Sequence, residues 1–226
     1  MEILKAEKLT KIYQDNGIPV NALQGIDLAI SKGEYLVIAG PSGSGKTTLL
    51  NLLGALDKPT EGKIYFDGED LTGKNKSELS SLRLHKLGFI FQAYNLIPVL
   101  TALENIEFSM MLLGIPEKER TDKALALMDD LGIKELAHKR PNGMSGGQQQ
   151  RVAVARAIVN NPSVVLADEP TANLDSVTAG NLLDLMERMN SEKNITFIFS
   201  SHDKNVIDRA KRLIILKDGK IQNQNL

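Results

Sequence analysis

Apolar residues fall along the chain in short continuous runs, each closing on a small or polar residue. Tyr35–Ala39 enters Gly40, Leu87–Phe91 ends at Gln92, Val164–Ala167 ends at Asp168 and Glu169, and Ile195–Phe199 runs through Ser200 and Ser201 to His202. Unbroken apolar runs of four or five residues predict strands buried on both faces, the pattern of a parallel α/β sheet. Open sheets of that kind bind ligands outside the carboxyl edge of their strands, so the polar residues closing these runs are the first candidates for chemistry. Residues 3–30 and 61–68 predict antiparallel strands instead, with a turn at Phe66-Asp67-Gly68. Lys217-Asp218-Gly219-Lys220, between Leu213–Leu216 and Ile221, predicts a hairpin. From about Leu96 to Arg140 the period becomes helical; over Thr121–Leu131, Ala124, Leu127, Met128 and Leu131 share one face. The expected fold class is α/β, with an antiparallel segment and a helical insertion, and without internal repeats or long linkers.

At 226 residues, 42% hydrophobic, the chain is long enough for one domain with a sizeable core. The absence of cysteine removes disulfides, thiolate metal sites and thiol catalysis from consideration. With 27 Lys and Arg against 28 Asp and Glu, there is no global attraction for nucleic acid or an anionic bilayer. Lys74, Lys76, Arg83 and Lys86 lie in a polar connection without interleaved aromatics and are expected to form a solvated face, so no nucleic-acid partner is expected. A spanning helix needs about 18 or more apolar residues. The richest stretch, Ile97–Ile115, is broken by Pro98, Glu104, Asn105 and Glu107. The N-terminus, MEILKAEKL, lacks the pattern of a signal peptide, which leads to an expected cytoplasmic location.

Gly40-Pro41-Ser42-Gly43-Ser44-Gly45-Lys46-Thr47-Thr48 is a complete P-loop, placed between a predicted strand and a helix predicted over Thr47–Leu56. Its glycines let successive backbone N–H groups point inward, making an anion nest at a helix N-terminus. Lys46 would reach the β- and γ-phosphates of a nucleotide. Thr47, with Thr48 beside it, would offer a hydroxyl to Mg²⁺. The run ending at Asp168-Glu169 supplies complementary chemistry. Asp168, at the end of a buried strand, suits a Mg²⁺ position directly or through water, and Glu169 is placed to take a proton from an attacking water. Taken without the P-loop, an Asp-Glu before Pro170 is an ordinary strand end.

Met144-Ser145-Gly146-Gly147-Gln148-Gln149-Gln150-Arg151 carries a second such feature. Ser145 suits an N-cap, the glycines permit close approach, and Gln148–Asn160 predicts a helix with Val152, Ala155 and Val159 on one face. Ser-Gly-Gly by itself also suits a simple capped helix.

Together these motifs resemble the ATP-binding-cassette (ABC) ATPases over essentially the whole chain. The family's signature corresponds to Ser145, Gly146, Gly147 and Gln148, with Met144 where leucine is usual. Gln92 resembles the family's Q-loop glutamine, Asp168 its Walker B aspartate, Glu169 its catalytic glutamate, Asn173-Leu174-Asp175 its D-loop and His202 its switch histidine. Tyr13 resembles the aromatic that stacks on adenine, although an edge-strand tyrosine is an equally ordinary reading of that residue. The resemblance implies a P-loop NTPase core (1–91 and 151–226) with an antiparallel β-subdomain, and an inserted α-helical subdomain at approximately 92–150, in a single nucleotide-binding domain. It also implies ATP and Mg²⁺ as ligands, with Thr47, Gln92 and Asp168 near the metal, and catalysis by Glu169, His202, Lys46 and Gln92. Two identical cassettes are implied to pair head to tail, each P-loop facing the other's signature.

Ala22–Ile26, Asn51–Gly54, Phe91–Leu96 and Ala167–Ser176 look most like the MacB/LolD-type branch of the family. The branch implies an ATPase that works through a separate integral membrane permease, with a large extracytoplasmic domain, in export, extraction or mechanotransmission. A regulatory ATPase in cell division or wall remodelling has the same motifs. Soluble cassettes of DNA repair or translation usually carry a long coiled coil or a second cassette, and this sequence shows neither. Residues 95–113 are rich in apolar and Met side chains, suiting either the core of the helical part or a groove for a partner helix, with Leu96, Ile97 and Val99 as the candidate contacts. His85 and His138 have no such placement and are given no role.

Overall fold

A computed structural model describes residues 1–15 and 17–225. The apolar runs form one sheet: β3 (Tyr35–Ala39), β6 (Leu87–Ile90), β7 (Val164–Asp168), β8 (Thr196–Ser201), β9 (Arg212–Lys217) and β10 (Lys220–Asn225), in the order β10-β9-β3-β8-β7-β6. All but β10 are parallel; β10 returns antiparallel on β9 through the expected hairpin, where Asp218 and Gly219 both take positive φ. The second sheet, β2-β1-β4-β5, is antiparallel and comprises β1 (Glu2–Asp15), β2 (Ile18–Ser31), β4 (Glu61–Phe66) and β5 (Glu69–Asp70).

The central strands are apolar on both sides because both faces are covered. Tyr35, Val37, Val165, Ala167, Phe197 and Phe199 point into a core shared with α3 (Ala102–Leu112), α4 (Glu117–Asp130), α5 (Gly146–Ile158) and α6 (Ser176–Lys193). Leu36, Ile38, Val164, Leu166 and Ile198 point the other way, into a core shared with α1 (Lys46–Leu53), α2 (Lys76–Lys86) and the antiparallel sheet. The expected face of α4 holds: Ala124, Leu127, Met128 and Leu131 are all buried. The approximate boundary expected near residue 150 falls inside α5, which packs on α3 and α4 and also on β6. Among the described residues no helix is long and apolar enough to cross a membrane.

Three local differences from the sequence expectations have physical reasons. Helix α1 ends at Leu53 rather than Leu56, because Ala55 takes a left-handed φ of 53°. Arg83 is not part of a solvated face; its guanidinium donates to the Ala55 carbonyl at 2.7 Å, satisfying the end of that helix. Strand β8 continues through Ser200 and Ser201, which pair with Ile38 and Ala39 of β3 and carry the sheet to the edge of the site.

Close packing of α5 on β6 depends on Gly88. A Cβ there would lie 2.4 Å from the backbone oxygen of Ala157, an atom that cannot swing aside. Gly88→Ala is therefore expected to destabilise the chain by about 1–3 kcal/mol, read as a lower urea midpoint at unchanged slope.

Candidate active site

The loop after β3 is shaped by close approaches that only glycine permits. A Cβ on Gly40 would lie 2.1 Å from the Leu216 carbonyl oxygen, and Gly45, at φ 102°, would place one 2.5 Å from the Ala22 oxygen. Gly43 also takes a positive φ, 77°, while Pro41, Ser42 and Gly43 stand exposed at the rim. The loop delivers the chain into α1, whose first turn has neither a side-chain cap nor an acidic residue. Its free N–H groups and positive dipole end therefore face the loop's concavity. Ser44 Oγ is buried without a protein partner. Lys46 is 7% exposed, and its Nζ donates to the carbonyl oxygens of Gly40 (2.7 Å) and Pro41 (3.0 Å), laying the cation across the loop.

The ends of β7 and β8 complete the site. Thr47 Oγ1 donates to Asp168, 3.2 and 3.0 Å from its two carboxylate oxygens. Glu169 takes a left-handed φ of 44°, strain of about 1–2 kcal/mol for a residue with a Cβ, and its N–H is held by the Ser200 carbonyl at 2.9 Å. His202 Nδ1 lies 2.6 Å from Glu169 Oε1, and Ser201 Oγ donates to Oε2 at 3.0 Å. Thus the structure brings together residues 40–48, Asp168, Glu169 and His202.

Tyr13 adjoins the same place through Thr48 and donates from its hydroxyl to Asp57 at 2.9 Å, with Lys11 Nζ 4.8 Å from the ring centre. Burial, then the Asp57 carboxylate, pushes the Tyr13 hydroxyl above its ordinary pKa. For Asp57, burial pulls upward, but hydrogen bonds from Lys11, Tyr13 and the Lys58 backbone outweigh it and hold the carboxyl below its usual range.

Gln92 follows β6, the strand beside β7, and is exposed; its carbonyl accepts from Asn173 Nδ2 at 2.8 Å. Two residues later Tyr94 (φ 60°) and Asn95 (φ 49°) are consecutively left-handed. Arg156 of α5 donates to both of their carbonyls, at 2.8 and 2.5 Å, and burial lowers its pKa.

Ser145 caps α5 as expected, in a capping box: its Oγ accepts from Gln148 N at 3.3 Å, and Gln148 Oε1 accepts from Ser145 N at 2.9 Å. Ser145–Gln148 is not packed on residues 40–48. Its glycines nest instead against Tyr94 and the start of α6: a Cβ would lie 2.7 Å from Tyr94 Oη at Gly146 and 2.5 Å from Thr178 Cγ2 at Gly147.

Among the described residues no group of three or more His, Cys, Asp or Glu side chains is placed to hold a metal. Thr47 and Asp168 offer one hydroxyl and one carboxylate. So sparse a set suits Mg²⁺, which keeps waters and takes further ligands from nucleotide phosphates.

The apolar groove beside residues 92–95, about 460 Å³, is lined by Leu56, Phe89, Phe91, Leu112 and Arg156 among others. The residues expected to line it are elsewhere: Leu96 packs on the core, Ile97 is half-buried and bonded to Asn105, and only Val99 stands exposed. Sequence reasoning also misses Ser201, Thr171, Asp203 and Arg156. Ser200 and Ser201 are visible there only as the polar end of a strand, and nothing in the spacing joins them to Glu169.

The ABC transporter family matches residues 23–172. The lipoprotein-releasing system ATP-binding protein LolD 1 of Chlorobium chlorochromatii is 46% identical over 97% of this chain and 90% of its own. The macrolide export ATP-binding/permease protein MacB of Syntrophobacter fumaroxidans is 40% identical over the whole of this chain, which spans 32% of that longer protein. The cassette MJ0796 of Methanocaldococcus jannaschii, solved as a dimer and as a dimeric post-hydrolysis state bound to ADP and Pi, superposes with a TM-score of 0.93 at 42% identity, covering 99% of this chain and 98% of that one.

Proposed function

This chain belongs to the ABC transporter family and is an ATPase cassette, and from that premise we propose that it powers a membrane-embedded export, extraction or mechanotransmission system by ATP-dependent pairing. What carries the reading is the convergence of Thr47–Asp168 and Glu169–His202 on the mouth of the 40–45 loop. The loop's N–H groups and the start of α1 receive the phosphates. Lys46 exchanges its two carbonyl partners for the β- and γ-phosphates. Thr47 and Asp168, with Gln92, would hold Mg²⁺, which would supply charge neutralisation at the phosphate oxygens. Glu169 takes the proton of a water attacking the γ-phosphorus in line, and the bond to the ADP oxygen breaks. His202 holds Glu169 from Nδ1. That nitrogen must carry a proton to donate, so Nε2 can donate to the γ-phosphate only in the imidazolium form.

Because Ser145–Gln148 lies away from its own P-loop, a second identical chain, turned head to tail, would bring its signature to this nucleotide and close the site. The groove at Phe89, Phe91 and Leu112 is the surface for a helix of a separate permease with a large extracytoplasmic domain, which would hold this chain at the cytoplasmic face of the membrane. LolD and MacB, by their names, serve lipoprotein release and macrolide export, and that class of work is the one proposed. Affinity purification of the full chain from detergent-solubilised membranes is expected to recover such a permease, with ATP turnover changing when the two are reconstituted in vesicles. Recovery without any membrane subunit would overturn the assignment.

A further inference from the structure

Glu169 is reached by two donors of different character, and only one of them is part of the mechanism above. The His202 side chain is 70% exposed. Ser201 is fully buried, and a hydrogen bond made away from competing water is the stronger constraint. The direction of the Ser201 hydroxyl is also decided by its surroundings. Asp203 N–H donates into Ser201 Oγ at 3.1 Å, so the single hydroxyl proton is left to point at Glu169 Oε2. Asp203 is itself fixed on both oxygens. Oδ1 accepts from Asn205 N at 2.9 Å, and Oδ2 accepts from Thr171 Oγ1 at 3.0 Å, with Thr171 only 3% exposed. Thr171 stands two residues after Glu169, so residues 169–171 and 201–203 are tied by Glu169–Ser201 at one end and Thr171–Asp203 at the other.

We propose that Ser201 is a positioning residue for the reaction, held by Asp203 and Thr171, which fixes the Glu169 carboxylate so that an oxygen faces the attacking water. A glutamate has three side-chain torsions, and an unanchored carboxylate at a strained backbone position would sample orientations that cannot take the proton. This inference rests on Glu169 being the general base.

The test is steady-state ATP hydrolysis by the full chain with Mg²⁺. Ser201→Ala is expected to lower kcat by about tenfold, the scale of one hydrogen bond to a charged group, with KM for ATP little changed. Ser201→Thr keeps the hydroxyl and restores kcat. In a Glu169→Gln background Ser201→Ala adds no further loss. A Ser201→Ala enzyme with wild-type kcat overturns the proposal, as does a loss that multiplies undiminished in the Glu169→Gln background. If Ser201→Ala does not fold, Thr171→Val decides, since it removes only the donor to Asp203: a smaller loss of kcat with KM for ATP unchanged supports the relay, and wild-type kcat overturns it. Wild-type hydrolysis by Glu169→Gln would remove the general-base reading itself, an outcome distinct from all of these.

Discussion

Glu169→Gln is expected to slow ATP hydrolysis by about 10²–10⁴-fold, the range attributed to a positioned general base. The amide has nearly the shape of the carboxylate but cannot take a proton from water. The fold around it should be retained. The amide oxygen can accept from Ser201 Oγ as Oε2 does now, and the amide nitrogen can donate to His202 Nδ1 once the imidazole carries its proton on Nε2. With phosphate binding proposed to rest on the 40–48 loop and α1, nucleotide affinity is expected to stay within about threefold, well inside the 1.4 kcal/mol that a tenfold change requires. With ATP bound and not cleaved, the variant should accumulate as a dimer. Single-turnover hydrolysis and size exclusion with and without ATP check both halves; steady-state turnover equal to wild type would show that another group takes the proton.

Lys46→Ala is expected to act earlier, on binding. Two charge-assisted hydrogen bonds to the β- and γ-phosphates, at about 1.5–3 kcal/mol each, correspond to a loss of roughly 10²-fold or more in ATP affinity. Hydrolysis would fall at least as far. The present partners of Nζ are the carbonyl oxygens of Gly40 and Pro41, which water can also satisfy, so thermal stability should change little. Lys46→Arg is not expected to rescue, because a side chain 7% exposed in so tight a loop leaves no room for a planar guanidinium. Equilibrium titration with a fluorescent ATP analogue decides; wild-type affinity in the alanine variant would remove Lys46 from the phosphate site.

Much of this site is legible in the amino-acid sequence because its chemistry sits where strands end. A buried strand running into Gly40, and others running into Asp168 and His202, place polar groups at one sheet edge, and linear order suffices to find them. The remainder depends on which segments meet in space. Ser201 looks like any strand-end serine until β8 lies beside β7. Arg156 looks like a surface arginine on α5, yet it holds two left-handed carbonyls of the 94–95 segment. For the groove, apolar content points to one contiguous stretch near Val99, whereas Leu56, Phe89 and Leu112 assemble it from three separate parts of the chain. Apolar residues continuing to Leu56 carry the expected α1 past its true end. Only the backbone angle at Ala55 stops it.

Helix α5 has a mechanical consequence. It runs unbroken for 13 residues, roughly 20 Å. One end carries Ser145 and the glycines nested on Tyr94 and Thr178; the other is wedged on β6 at Gly88, with buried side chains along most of its length. Arg156, near the wedged end, grips residues 94–95. Such a helix would act as a lever with its fulcrum at the sheet: a small tilt at Gly88 would become a larger displacement of the glycine tip, while the carbonyls held by Arg156, one residue from the fulcrum contact at Ala157, would shift least.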